Sequence, residues 1–253
     1  MSQVFIGSQQ GLFTLSLSVL NNDIWIMDPE CEECKLTFIQ YNHSSANSVK
    51  TSEPVKYFHE LLNIDASGTF YEDLVQVGEY ESIIYPLAVA DKFVDVYGLA
   101  IDGILGLGHN KSSIVYKMYE EGKLDAPIYS LSFLNDPLLV LGTPNFLDLS
   151  LVIESQQELS LKQDLELTKF SFHSHTVEEV KKVELNSISS YITGPPEILE
   201  RIYKILTEEG CHYEEELLMC ECENSEYPSF NFVIQGQELY LNSSEYLIQV
   251  RIR

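Results

Sequence analysis

Alternation of apolar and polar residues is the main pattern along the chain, and it predicts many short β-strands. Residues 12–20 (LFTLSLSVL) and 69–78 (TFYEDLVQVG) alternate in the way that is typical of half-buried strands. Gly236 separates two alternating arms within residues 229–241, which indicates a hairpin. Further strands are predicted at residues 82–90, 128–134, 137–142 and 167–173.

Helical periodicity is confined to two short segments. Residues 112–123 carry apolar side chains at helical spacing and end near Gly122. Residues 195–210 begin with two prolines and end at a glycine, which is typical of a helix. The balance of elements predicts a mainly β protein with a few short helices.

A domain boundary is predicted near residue 145, where the strand pattern breaks. Gly142, Pro144 and Asn145 follow one another closely at that point. We therefore expect one domain over residues 1–145 and a second over residues 146–253.

Composition supports a folded core and a strongly acidic surface. Of the 253 residues 45% are hydrophobic, and 39 acidic residues face 15 basic ones, for a net charge of −24. Such a surface repels nucleic acid and anionic membranes, so neither is expected as a partner. The acidity itself has two readings, solubility at neutral pH or suitability for a low-pH compartment.

Signals of cellular location point in different directions. The N-terminal residues have neither the basic nor the long apolar region of a signal peptide, and no apolar run reaches transmembrane length. Three N-glycosylation sequons nevertheless begin at Asn42, Asn110 and Asn242, which favours an extracytoplasmic origin.

The five cysteines leave at least one without a partner in the chain. Cys31 and Cys34, spaced as Cys-Glu-Glu-Cys, fit a tight disulfide loop, a redox pair or half of a metal site. Cys220 and Cys222 have the wrong spacing for the second half of a zinc site. A disulfide is the preferred interpretation, and neither a metal nor a cofactor is expected.

Three segments together carry a resemblance to a known family. They are residues 6–25 (IGSQQGLFTLSLSVLNNDIW), residues 102–108 (DGILGLG) and residues 183–199 (VELNSISSYITGPPEIL). They resemble the pepsin-like aspartic proteases, peptidase family A1, in which each of two lobes carries an Asp-Thr/Ser-Gly triplet. Cys31 and Cys34 fall where many members close a small disulfide loop.

Aligned without a gap, the first triplet of that family falls on Ser18-Val19-Leu20, seven residues before Trp25. The second falls on Asn186-Ser187-Ile188, ahead of an Ile-Thr-Gly-Pro segment that resembles the family's Leu-Thr-Gly-Pro. Ser18 and Asn186 thus occupy the positions of the two catalytic aspartates, and the family's flap tyrosine corresponds to Leu61. The resemblance therefore implies a divergent member of the family in which both motifs are lost.

These replacements remove the family's chemistry, which needs two carboxylates that share one proton around a water molecule. A serine hydroxyl does not titrate in the relevant range, and an amide neither takes nor gives a proton. Leu20 and Ile188 also replace the triplet glycines, which allow tight turns. We therefore expect no catalytic residues here.

The resemblance implies a bilobal pepsin-like β-barrel fold with a peptide cleft between the lobes and a secreted or lysosomal location. The chain stops before the last strands of the family's second lobe, so we expect a truncated chain with an incomplete C-terminal lobe. Cys220 or Cys222 corresponds to a family cysteine that pairs further downstream, and pairing of Cys211 with either is the alternative. We expect a pseudoprotease that either retains binding of a peptide or protein in that cleft or has no cleft function left; the alternative is an active aspartic endopeptidase that hydrolyses internal peptide bonds.

Overall fold

The computed structural model describes residues 2–8, 10–31, 34, 39, 41–42, 48–59, 64–95, 102–132, 138–144, 165–177, 182–188, 191–214, 217–221 and 227–248. The chain divides into two compact units. The first comprises Met1–Asp148 together with Leu185–Ser190, and the second comprises Leu149–Glu184 and Tyr191–Arg253. A short segment late in the sequence therefore belongs to the first unit.

The first unit is built on one large sheet, with strand order β1-β2-β7-β3-β6-β5-β4 and an additional pairing of β1 with β5. Strand β7 runs parallel to β2 and antiparallel to β3, and β3 runs parallel to β6. The seven strands are β1 (Ser2–Ile6), β2 (Gly11–Ser18), β3 (Ile24–Met27), β4 (Val49–His59), β5 (Ile64–Val77), β6 (Ile83–Asp95) and β7 (Gly103–Gly106).

The central strands of this sheet are apolar on both faces. All four residues of β3 and all four of β7 are buried. Because successive side chains of a strand point to opposite faces, Ile24 and Leu105 join one hydrophobic cluster, whereas Trp25 and Ile104 join another. The sheet is therefore covered on both sides at the point where β2, β7 and β3 meet.

A helix and a small hairpin complete the described part of the first unit. Helix α1 (Ile114–Glu120) lies within the segment predicted as helical and begins where the Ser113 hydroxyl accepts a hydrogen bond from the Tyr116 backbone N–H at 3.4 Å. Strands β8 (Tyr129–Ser132) and β9 (Leu138–Leu141) form the hairpin.

The second unit contains a sheet in the order β11-β10-β15-β16, with β12 pairing with β10, and a separate hairpin of β13 and β14. Its strands are β10 (Leu165–Phe172), β11 (His175–Val177), β12 (Lys182–Val183), β13 (His212–Glu214), β14 (Leu217–Met219), β15 (Phe230–Ile234) and β16 (Gln237–Leu241). Its helices are α2 (Pro196–Glu208) and α3 (Ser243–Tyr246). Gln235 and Gly236 join β15 to β16 with φ of 51° and 79°, as a two-residue hairpin turn requires, so the predicted hairpin is confirmed.

Aromatic residues form the core of the second unit. The rings of Phe172 and Phe230 lie 4.5 Å apart, and the buried face of α2 packs in the same cluster through Ile202, Ile205 and Leu206. A disulfide between Cys211 and Cys220 connects the end of α2 to the end of the β13–β14 hairpin.

The prediction of a mainly β fold with few helices is confirmed. Helix α3 was not predicted from the sequence, because four residues are too few to show a helical period. Within the described ranges, no helix combines the length and the apolar character needed to cross a membrane.

Candidate active site

Ser18 is the last residue of β2 and lies opposite Gly106 of β7 in the parallel register. The loop that follows Ser18 is held by hydrogen bonds from the residues after Gly106. The Leu107 backbone N–H donates to the Ser18 carbonyl oxygen and the Gly108 N–H donates to the Asn21 carbonyl oxygen, both at 2.8 Å. Ser18 is 1% exposed, so the end of β7 holds a buried loop at the position of the predicted first triplet.

The close packing of β7 against the loop after Ser18 requires a glycine at position 106. A Cβ atom at this position would lie 2.5 Å from the Asp23 carbonyl oxygen and 2.6 Å from that of Asn21. Both are backbone atoms of the buried loop, and they cannot move without displacing it. Only glycine fits where this strand passes beneath the loop.

Asn186, Ser187 and Ile188 form the second predicted triplet, and they belong to the first compact unit. The Asn186 Oδ1 accepts a hydrogen bond from the Ile188 backbone N–H at 2.9 Å, which closes an Asx turn. The turn fixes the direction of the Asn186 amide without a glycine at the third position.

A single hydroxyl joins the two predicted triplets. The Ser187 Oγ accepts a hydrogen bond from the Val19 backbone N–H at 3.1 Å and donates one to the Leu17 carbonyl oxygen at 2.6 Å. Two segments more than 160 residues apart in sequence are thereby held together. The structure thus brings the segments of Ser18 and Asn186 to one place.

The two side chains at the predicted aspartate positions, Ser18 and Asn186, are neutral. In the described part of the chain, the Ser18 hydroxyl is buried and has no hydrogen-bond partner. Hydroxyl and amide groups donate and accept hydrogen bonds, but they do not exchange protons between pH 3 and 8 or so. Neither side chain can therefore act as a general acid or a general base in this pH range.

Asp23 is the acidic residue of the same loop. Its backbone N–H donates to the Asn21 Oδ1 at 2.9 Å, and burial raises the pKa of its carboxyl above the ordinary value. The Asp23 charge in turn adds to the effect of burial in raising the pKa of the Tyr85 hydroxyl. The single proton of that hydroxyl is shared between the Ser112 carbonyl oxygen at 2.6 Å and the Asn22 carbonyl oxygen at 3.2 Å, so Tyr85 anchors the loop.

Ile188 changes the packing around the site. Its side chain packs against the hydrophobic cluster that contains Trp25, which is fully buried in β3. In the described part of the chain the Trp25 indole N–H has no hydrogen-bond partner. A bulky side chain therefore packs against this cluster at a position where the family triplet would have a glycine.

Two buried aspartates were not identified as important from the sequence. Asp102 accepts hydrogen bonds from the backbone N–H groups of Thr14 at 2.8 Å and Ile39 at 3.2 Å. Asp73 accepts one from the Tyr41 hydroxyl at 2.9 Å, and burial raises the pKa of that tyrosine. These carboxylates satisfy polar groups inside the fold, and the first residue of DGILGLG was the signal available for Asp102.

Two disulfides account for four of the five cysteines. Cys31 and Cys34 are bonded, as preferred from the sequence, and Cys211 pairs with Cys220. The sequence had left the partner of Cys211 open between Cys220 and Cys222, and the latter lies outside the described residues.

The other predicted sites divide between described and undescribed residues. Leu61, aligned with the flap tyrosine, lies outside the described residues. Asn42 and Asn242 are exposed, whereas Asn110 is half-buried. No group of three metal-ligating side chains occurs among the residues that the structure describes.

The family model described as eukaryotic aspartyl protease matches residues 1–253, which is the full length of the sequence. The match covers both predicted triplets and the DGILGLG segment between them. The chain therefore belongs to the eukaryotic aspartyl protease family.

Proposed function

We propose that this chain is a catalytically inactive aspartyl protease homologue that acts by binding a peptide or protein. The observation that carries the proposal is the Ser187 hydroxyl, which joins the loop of Ser18 to the loop of Asn186. The family's reaction would require a carboxylate on each of these two loops, and this sequence has a serine and an asparagine there.

The cost of these replacements is large on chemical grounds. Removing one general acid–base group slows a reaction by a factor on the order of 10²–10⁴, and both groups are replaced here. Asp23 does not supply a substitute pair, because a single carboxyl cannot share a proton with a serine and an asparagine in the way that two carboxyls do.

Retention of the surrounding framework supports a binding role. The loop of Ser18 is still fastened to β7, and Asn186 still has its own Asx turn. Ile188, which packs against the cluster of Trp25, places a bulky side chain where the family has a glycine, so we infer that the ligand differs from a pepsin substrate.

A proteolysis assay tests the loss of activity. The purified full chain is incubated with denatured haemoglobin and with a quenched peptide from about pH 3 to pH 6, with and without pepstatin, beside an active family member. We expect no turnover that pepstatin inhibits. Pepstatin-sensitive cleavage by the purified chain would overturn the proposal.

A calorimetric screen tests the binding role separately. A library of extended peptides is titrated into the full chain, and hits are repeated with the variant Ile188→Gly, which removes the side chain that packs against the cluster of Trp25. We expect binding that changes in affinity in this variant. Absence of any binding at high micromolar peptide would contradict a retained binding function and leave the loss of catalysis standing.

A further inference from the structure

Strand β16 is the edge of its sheet among the described strands. Its only partner there is β15, and the side chains of Leu239 and Tyr240 are 39% and 61% exposed. An edge strand with exposed apolar side chains is a template for pairing with another chain. Something that covers this edge would keep the protein from associating with itself.

Asn242 directly follows β16 and begins the sequon Asn242-Ser243-Ser244. Asn242 and Ser244 are both exposed. The Asn242 Oδ1 accepts a hydrogen bond from the Ser229 hydroxyl at 3.2 Å, and its backbone N–H donates to the Glu245 Oε2 at 2.7 Å. These hydrogen bonds involve the side-chain Oδ1 and the backbone N–H of Asn242. Neither of them involves Nδ2, the atom to which an N-linked glycan is attached.

The other sequons are less suited to carrying a glycan in the folded chain. Asn110 is half-buried, its backbone N–H donates to the Asn22 Oδ1 at 3.0 Å, and its own Oδ1 accepts from the Ser112 backbone N–H at 3.3 Å. It therefore belongs to the loop system of the candidate active site. Asn42 is exposed, but the hydroxyl residue of its sequon lies outside the described residues.

The two disulfides indicate an oxidising compartment, which is where N-glycosylation also takes place. We propose that Asn242 carries an N-linked glycan and that this glycan covers the exposed edge of β16. This inference does not depend on the loss of catalysis. In the transfer, the Asn242 Nδ2 forms a bond to C1 of an oligosaccharide carried by a lipid pyrophosphate. The bond from C1 to the pyrophosphate oxygen breaks, the lipid pyrophosphate leaves, and Nδ2 gives up one proton.

Glycan occupancy is tested on the full chain directed into the secretory pathway of cultured insect cells. The secreted protein is treated with peptide-N-glycosidase in ¹⁸O-water, which converts a glycosylated asparagine to labelled aspartate, and its peptides are mapped by mass spectrometry. We expect the label at Asn242 and its loss in Ser244→Ala, which destroys the sequon and keeps the Asn242 hydrogen bonds. An unlabelled Asn242 in the secreted chain would overturn the proposal, whether or not Asn110 is labelled.

The covering role is tested by light scattering after gel filtration. We expect the glycosylated chain to be monomeric, Ser244→Ala to associate as concentration rises, and Tyr240→Lys added to Ser244→Ala to restore the monomer, because a charged edge opposes pairing. If Ser244→Ala stays monomeric, or if Tyr240→Lys fails to reverse its association, the glycan does not protect this edge.

Discussion

The Ser187 hydroxyl accepts a hydrogen bond from the Val19 backbone N–H at 3.1 Å and donates one to the carbonyl oxygen two residues earlier. The two segments predicted to correspond to the family triplets are in contact through this side chain, and neither segment contains an aspartate. The contact is independent of the catalytic chemistry, because a hydroxyl and two backbone groups make it.

Ser187→Ala should destabilise the first unit. The substitution leaves the Val19 N–H and the Leu17 carbonyl oxygen, both on largely buried residues, without this partner. One intramolecular hydrogen bond contributes about 0.5–1.5 kcal/mol and two are lost here, so we expect a loss of about 1–3 kcal/mol in urea unfolding. Ser187→Thr, which keeps the hydroxyl, is the matched control. A Ser187→Ala chain as stable as wild type would show that the contact is not significant.

Gly106→Ala should be more harmful than its small size suggests. The added Cβ would clash with two backbone oxygens, at 2.5 Å from that of Asp23 and 2.6 Å from that of Asn21. The loop after Ser18 would have to move to relieve the clash. Overpacking of this kind costs about 1–3 kcal/mol. Gly194→Ala is the control, because its Cβ would meet only the Leu199 side chain at 4.0 Å. Equal unfolding midpoints for the two variants would contradict the close approach beneath the loop.

Sequence periodicity predicted the strands that have one buried and one exposed face. It did not predict strands that are buried on both faces. Residues of β5 alternate between buried and partly exposed positions, which the period-two pattern predicts. Strand β3 is buried along its whole length, so IWIM shows no alternation and was not identified as a strand from periodicity. Its Trp25 was located through the family resemblance instead.

The candidate site was predictable in position but not in its contacts. The resemblance selected Ser18 and Asn186, and the structure brings their loops together. The role of Ser187 depends on the approach of segments more than 160 residues apart, which no local pattern encodes. The same holds for Asp102, whose carboxylate receives N–H groups from two distant segments.

Asp23→Asn should stabilise the chain in a pH-dependent way. Burial raises the pKa of this carboxyl, so the folded state binds its proton more tightly than the unfolded state. Stability is then lost as pH rises from the ordinary pKa, about 3.9, through the raised one. We expect the variant to be more stable than wild type at neutral pH and no different near pH 3, by urea unfolding at several pH values.

The control for Asp23→Asn is Glu79→Gln, which removes one negative charge from an exposed turn. It reports how much stability follows merely from lowering the net charge of −24. If both substitutions have the same effect at each pH, the burial of Asp23 has no energetic consequence.

Loss of the Cys211–Cys220 disulfide should destabilise the second unit. The bond closes a loop with a sequence separation of 9, for which chain entropy gives a stabilisation of about 2–3 kcal/mol. We expect the double variant Cys211→Ser/Cys220→Ser to lose that amount in urea unfolding. Cys222→Ser is the matched control: it should keep wild-type stability and have no free thiol under denaturing conditions, because the other four cysteines are paired. A free thiol and lowered stability in Cys222→Ser would show that Cys211 pairs with Cys222 instead.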